Sequence, residues 1–143
     1  TKAAMESGFL PGGGIALARA GLELLRKTNN SEETLLSKTA TKIVSDACMS
    51  PLRRILTNAD MSTDYIMEMI KNNDDWTYGY DVRSESYVNM IEKGIIDPQK
   101  VTATAIKNAV SVSNSLLSVG CVVLNTENYN QGVQLVQLSD DMY

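Results

Sequence analysis

The segment from Asp97 to Gly120 carries apolar residues at helical spacing, and this pattern constrains the fold most strongly. Asp97 followed by Pro98 is typical of a helix start, with an N-cap and a first-turn proline, and Gly120 is a typical stop. One side of the segment is formed by Val101, Ala105, Ala109, Val112, Leu116 and Val119. A second side is formed by Ala103, Ile106, Val110 and Leu117, and mainly Ser and Thr fill the remaining positions. Two apolar sides predict a buried helix at the centre of a bundle.

Two amphipathic helices are predicted nearer the N-terminus. The first runs from Gly14 to Lys27, directly after consecutive glycines, and the polar run 28–30 ends it. Its apolar face consists of Ile15, Ala18, Leu22 and Leu25. The other helix runs from Asp64 to Asn72 with Ser62 as its cap.

A further helix is predicted between these two. Asn30 and Glu33 have the spacing of a capping box, which places the helix start at Asn30. Pro51 interrupts the apolar pattern, which then continues to about Asn58. We therefore expect a kink, or a restart with Pro51 in the first turn of the second part.

The β structure predicted from the sequence is small. The runs "WTYGYDV" and "SYVNMI" flank the turn residues 83–85 and predict a β-hairpin. The apolar run from Cys121 to Asn125 predicts one strand more, which implies a pairing partner elsewhere. The predicted fold class is therefore mainly α, a helical bundle with a small β-hairpin and a C-terminal strand over residues 1–125. Residues 126–143 are predicted to form a polar tail.

Composition excludes several classes of function. The chain has no histidine, which excludes Ser-His-Asp and Cys-His nucleophiles and the common zinc sites. A net charge of -4 without a basic stripe indicates no nucleic-acid partner. No apolar run approaches the roughly 20 residues of a spanning helix, which indicates no membrane partner. Cys48 and Cys121 lack metal-ligand spacing and are predicted to be buried small apolar residues without a disulfide.

Three longer motifs occur in a fixed order along the chain. They are "SGFLPGGGIAL" (Ser7–Leu17), "YGYD" (Tyr78–Asp81) and "YVNMIEKGIIDPQKV" (Tyr87–Val101), and "SPLRRILTNA" lies between them. Together they resemble the C-terminal equatorial segment of the group I chaperonins, the GroEL-like ring-forming folding machines. The resemblance runs from about Lys2 to Leu124. It implies a mostly helical equatorial domain that binds ATP or ADP with Mg²⁺ and K⁺ and makes contacts within and between rings.

The resemblance also implies nucleotide contacts at five positions. By position, the Gly13 backbone lies against the ribose, and Asp97 receives the ribose hydroxyls. Ile95 packs on the base, and Asp81 and Val82 approach the adenine from the hairpin. The residue types suit these roles, since glycine lets a backbone come close to a ligand and a carboxylate accepts hydroxyl hydrogen bonds strongly.

Each of these residues also has a purely structural interpretation. The glycines at 12–14 could form a flexible turn, Asp97 could be an N-cap, Ile95 a core residue and Asp81 an ordinary hairpin residue. Asp81 departs from the asparagine of many bacterial members, although the mitochondrial type also has Asp there. An ionised carboxylate only accepts hydrogen bonds, so it could contact the adenine amino group but not a ring nitrogen. The Gly-Met tail of many members is absent.

The same resemblance indicates which parts of an ATPase these 143 residues do not contain. In the family the phosphate loops and the water-orienting aspartate lie upstream, as do the apical and hinge domains. We therefore expect a nucleotide-binding and ring-contact segment of an ATP-dependent protein-folding chaperonin that is inactive alone and holds no nucleotide tightly. Implied partners are other subunits of a homo-oligomeric ring, with unfolded clients and a co-chaperonin bound through the other domains. The implied location is an organelle matrix, mitochondrial or plastid, or the bacterial cytoplasm.

A different class of function stays open at this point. The chain could be a freestanding helical interaction module that binds partners and no nucleotide. Phosphate loops encoded upstream in the gene would favour the chaperonin, and an initiator Met directly before Thr1 would favour the module.

The 143-residue chain is expected to hydrolyse no ATP above background, because phosphoryl transfer needs the phosphate loop and the acid that it does not contain. Steady-state phosphate release at increasing protein concentration measures this. Turnover that scales with protein and disappears in Asp97→Ala would contradict the expectation.

Overall fold

The computed structural model describes residues 2–29, 32, 34–121 and 123. The chain divides into two compact units, Thr1–Asn108 and Ala109–Tyr143. The helices are α1 (Lys2–Ser7), α2 (Ile15–Asn29), α3 (Leu35–Asn58), α4 (Thr63–Lys71) and α5 (Gln99–Leu117). The strands are β1 (Phe9–Pro11), β2 (Tyr78–Asp81), β3 (Ser86–Asn89) and β4 (Ile96–Pro98). The mainly α fold class is confirmed.

The helices α2 and α3 pack at very short range. The Ser45 hydroxyl on α3 donates a 2.8 Å hydrogen bond to the Gly21 carbonyl on α2. A Cβ added to Gly21 would lie 2.9 Å from the Ser45 carbonyl oxygen, closer than side chains approach backbone. The small residue at position 21 therefore sets the distance between the two helices, and buried Ser45 has its hydroxyl satisfied.

The core of the first unit lies among α2, α3, α4 and the residue that follows β3. Its buried apolar members are Ile15, Ala18, Met49, Leu52, Leu56, Ile66, Ile70 and Met90. The two predicted amphipathic helices are confirmed as α2 and α4, each within two residues of the expected ends. Their apolar faces were readable because the buried positions repeat at three and four residues.

The predicted hairpin is confirmed as the antiparallel pair β2–β3. Its register runs from Tyr78 opposite Asn89 to Asp81 opposite Ser86. The ring of Tyr87 stacks on that of Tyr78 at 5.5 Å between centroids and meets that of Tyr80 edge-on at 5.0 Å. Aromatic pairs across the strands are the side-chain contacts that stabilise a small sheet.

A second strand pair was not expected from the sequence. Strands β1 and β4 pair antiparallel, with Phe9 opposite Pro98, Leu10 opposite Asp97 and Pro11 opposite Ile96. Three-residue strands that far apart in the chain have no periodicity that a sequence pattern can detect. This pair brings the glycines after β1 next to the segment before α5.

The predicted start of α3 is wrong, and so is the predicted restart at Pro51. The helix begins after Thr34, whose side-chain oxygen accepts a hydrogen bond from the Ser37 amide, whereas the expected capping residues Asn30 and Glu33 lie outside the described residues. Pro51 lies inside one continuous helix instead of restarting it. Buried Leu52 and Leu56 follow the proline, and their packing offsets the roughly 3 kcal/mol that an internal proline costs.

The expected burial of the last helix is wrong. None of the residues of α5 is buried, and only Thr102 and Ile106 are half-buried. An apolar pattern shows that two faces of a helix are suited to burial. It does not show which residues pack against those faces. Cys121 is exposed rather than buried, and Cys48 is half-buried. Of the predicted strand 121–125, Cys121 and Val123 are not in a strand, and the other three residues lie outside the described part.

Gly79→Ala is expected to lower the free energy of unfolding by about 1–3 kcal/mol, the usual cost of overpacking a core. The added Cβ would lie 2.7 Å from both Ile15 Cγ1 and Met90 Cγ. Urea unfolding followed by circular dichroism measures the change. Gly120→Ala is the matched control, because it adds the same atom where no atom of the described residues lies within 4 Å. Equal losses in the two variants would contradict the packing argument.

Candidate functional site

The three glycines form the turn between β1 and α2. Gly13 and Gly14 have φ of 63° and 80°, the left-handed region that glycine adopts at no steric cost. A Cβ on Gly14 would lie 2.8 Å from the Leu52 amide nitrogen, so this turn rests directly on the backbone of α3. The Ile15 amide donates to the Gly12 carbonyl at 3.1 Å and closes the turn. These glycines therefore form a turn before α2, as the structural interpretation has it, and the turn packs against α3.

Ile95 joins this turn to the segment that precedes α5. Its carbonyl accepts a 2.8 Å hydrogen bond from the Gly12 amide, and its own amide donates to the Met90 carbonyl at 2.8 Å. Its half-buried side chain packs against the core cluster. The structure thus brings Gly13 and Ile95, two of the predicted contact residues, to neighbouring positions.

Asp97 lies two residues further along, in β4. The prediction that it caps the last helix is wrong, because α5 begins at Gln99 and Asp97 pairs in the sheet opposite Leu10. Its side chain is exposed, and among the described residues none donates a hydrogen bond to its carboxylate. The Asp97 carboxylate is thus a solvent-accessible acceptor beside the glycine turn.

Asp81 and Val82 lie at the far end of the hairpin. The Asp81 carboxylate accepts hydrogen bonds from the Ser84 hydroxyl at 2.6 Å and the Arg83 amide at 3.0 Å. These bonds, chiefly that from Ser84, hold the pKa of Asp81 below its ordinary value, with a smaller contribution from the Lys93 ammonium. Val82 is half-buried against the core. Asp81 is therefore a hairpin-turn residue whose carboxylate is bonded within its own turn.

Met90, which no sequence motif predicted as a site residue, lies beneath this site. Its side chain is 1% exposed, and a Cβ on Gly13 would lie 3.1 Å from its Cε. A Cβ at position 13 would thus point at a core side chain. Packing therefore favours glycine at this position, in addition to any contact with a ligand. Only its position in the apolar run "SYVNMI" signalled that Met90 could be buried.

A separate cleft of about 750 Å³ lies between α2 and the segment before β2. It contains none of the five predicted contact residues. Arg19 crosses its base, donating to the Asn73 carbonyl and, at 3.1 Å, to the Tyr78 carbonyl. The remaining lining residues are Leu22, Glu23, Leu25, Arg26, Asn29, Lys71, Asp74 and Trp76. Arg19 therefore ties the start of the hairpin to α2.

The described ranges contain neither a metal-binding cluster nor a membrane-spanning helix. No cluster of three or more His, Cys, Asp or Glu side chains there could bind a metal ion. No helix there has both the length and the apolarity to span a bilayer.

Comparison with known proteins identifies the class. The fold is similar to that of a group III chaperonin crystallised in the open state, at 26% sequence identity and a TM-score of 0.76. The match covers 85% of this chain and 25% of that one, so this chain spans about a quarter of the length of that chaperonin. The sequence profile of the TCP-1/cpn60 chaperonin family matches residues 1–127, and the chain belongs to this family. The mainly α fold expected for the equatorial domain is thereby confirmed.

Ser84→Ala is expected to raise the pKa of Asp81 toward the ordinary value of about 3.9, because it removes the strongest hydrogen bond to the carboxylate. A carbon-detected NMR titration of the Asp81 carboxyl group measures this pKa. Ser50→Ala, the same change on an exposed position of α3, is the control and should leave it unchanged.

The sign of the accompanying stability change follows from the lowered pKa. A depressed folded-state pKa contributes stability above the unfolded value, and that contribution is lost as pH falls through the folded-state pKa. The stability difference between the parent and Ser84→Ala should therefore be present at pH 7 and shrink in acid. A difference independent of pH would contradict the role of the carboxylate.

Proposed function

We propose that this chain is a nucleotide-binding and ring-contact part of an ATP-dependent protein-folding chaperonin, of the group I type. Membership of the chaperonin family supports the general activity. The observation that carries the nucleotide role is the 2.8 Å hydrogen bond between the Gly12 amide and the Ile95 carbonyl. It holds the left-handed glycine turn beside the strand that carries the exposed Asp97.

The residues at this place suit the sugar and base of an adenine nucleotide. The carboxylate of Asp97 is exposed and accepts no hydrogen bond from any described residue, so it is available to two ribose hydroxyls. The half-buried side chains of Ile95 and Val82 present apolar surface to a base. The partly exposed backbone of Gly13 would lie against the ribose.

Asp81 would contribute differently from these residues. Two hydrogen bonds from its own turn occupy its carboxylate and favour the ionised form, since they lower its pKa. It would therefore shape the hairpin end near the adenine and accept at most a bond from the amino group.

Bound ATP would supply the phosphoanhydride whose hydrolysis drives a chaperonin cycle. The residues of this chain would bind and orient the nucleoside end and exclude water from the base. As the resemblance to the family implies, the loops that hold the phosphates and the carboxylate that binds Mg²⁺ would lie in other parts of the chaperonin. Catalysis by this chain alone is not part of the proposal.

The apolar side chains exposed along α5 support the contact role. They include Val101, Val110, Val112, Leu116 and Leu117. Exposed apolar surface on this scale is typical of a surface that another protein segment covers. We propose that other chaperonin segments cover it, in a homo-oligomeric ring whose clients and co-chaperonin bind elsewhere, in an organelle matrix or the bacterial cytoplasm.

The same exposed helix would also suit a freestanding helical interaction module. That function predicts partner binding through α5 and no nucleotide binding at the glycine turn. Nucleotide titration therefore separates the two.

ADP and ATP are expected to shift the backbone NMR resonances of Gly13, Asp81, Val82, Ile95 and Asp97. Asp97→Ala should weaken binding about tenfold, since a charge-assisted hydrogen bond is worth roughly 1.5–3 kcal/mol. Asp97→Asn should give a smaller loss, because the amide still has an acceptor oxygen. Titration calorimetry measures the affinities.

Asp64→Ala is the matched control, since Asp64 is an exposed aspartate in the first turn of α4, away from the glycine turn. It should bind nucleotide like the parent. Shifts confined to other residues, or equal binding by the parent and both Asp97 variants, would contradict the proposed site.

A further inference from the structure

Met90 is fixed at both ends of its peptide unit. Its amide donates a 2.9 Å hydrogen bond to the Thr77 carbonyl, and its carbonyl accepts one from the Ile95 amide at 2.8 Å. The first bond ties it to the start of the hairpin and the second to the residue beside the glycine turn. The two bonds restrict movement of the backbone at Met90. The side chain that extends from it is 1% exposed.

The side chain fills the space between two glycines on different elements. A Cβ on Gly79 of β2 would lie 2.7 Å from Met90 Cγ, and a Cβ on Gly13 would lie 3.1 Å from Met90 Cε. The middle of the side chain thus packs against the hairpin and its terminal methyl against the glycine turn. An unbranched side chain is needed to reach both, and Met is the apolar residue with that shape.

Met90 therefore touches or bonds the glycine turn, the hairpin and the residue that precedes β4. It packs directly under Gly13, bonds Ile95 through the backbone, and packs on the strand that leads to Asp81. No other side chain among the eight buried apolar residues of the core lies within 4 Å of a Cβ placed on Gly13.

We infer that Met90 is a positioning residue that sets the height of the Gly13 backbone, and thereby the affinity of the site for an adenine nucleotide. The inference rests on the proposed nucleotide function. Met90 does not touch the ligand, because it is buried beneath the turn. Removal of its terminal methyl leaves a gap under Gly13 itself, and misplacement of a binding group by a fraction of an ångström is enough to weaken binding.

The test compares two buried methionines of the same core in the 143-residue chain. Met90→Ala removes the side chain that packs under Gly13, whereas Met49→Ala removes a buried side chain of α3 that has no atom within 4 Å of a Cβ placed on Gly13. Both should destabilise the fold. Only Met90→Ala should weaken ADP binding by about tenfold at a temperature where both variants are folded. It should also speed hydrogen exchange at the Gly12 amide more than Met49→Ala does.

Met90→Leu provides a variant that keeps most of the core volume. Leucine can pack against Gly79 but lacks the terminal methyl that lies under Gly13, so it should fold and still bind ADP more weakly than the parent. Equal ADP affinity and equal Gly12 exchange in Met90→Ala and Met49→Ala would overturn the inference, as would parental affinity in Met90→Leu.

Failure of the proposed function has a different signature. If the parent chain binds no ADP, the proposed nucleotide site is wrong, and so is the inference that Met90 sets its affinity. The exchange measurement is made without nucleotide, so it still decides whether Met90 holds the glycine turn.

Discussion

The hydrogen bond from the Gly12 amide to the Ile95 carbonyl joins two ends of the first unit that are far apart in sequence. It is 2.8 Å long and extends the β1–β4 pairing into the glycine turn. The glycine turn also rests on the α3 backbone at Leu52, a residue of the core. The candidate site is therefore built on the packing of α2, α3 and α4, and it exists only when these distant segments are brought together.

The dependence of the site on distant segments costs conformational entropy and fixes where the site residues lie. Closing a long loop costs free energy before any local bond compensates, so a three-residue strand pair cannot form alone. The core apolar residues and the close α2–α3 contact at Gly21 supply the stabilisation. In return, the exposed Asp97 is held by backbone pairing and not by the flexible end of a helix.

Sequence patterns predicted the elements whose stabilisation is local. The faces of α2 and α4 are readable because burial repeats at three and four residues, and the hairpin is readable because two runs rich in aromatic and β-branched residues flank a turn. The β1–β4 pair, the continuity of α3 through Pro51 and the exposure of α5 depend on distant packing or on its absence, which no local pattern encodes. At the site, the resemblance to chaperonins indicated Gly13 and Ile95, and the structure brings them to neighbouring positions. Asp97 was expected to cap a helix because Asp-Pro is typical of a helix start, but strand pairing takes up its backbone instead.

The left-handed turn at Gly14 also limits how this chain can vary. Every replacement that a single nucleotide change can make in a glycine codon introduces at least a Cβ. At Gly14 that atom would meet the Leu52 amide nitrogen at 2.8 Å, in a backbone conformation that side chains already disfavour. The neighbour is main chain in the middle of a helix, so no rotamer change can make room. In genetic terms, no missense change of a single nucleotide in this codon is mild. Compensation would require a shift of α3 itself.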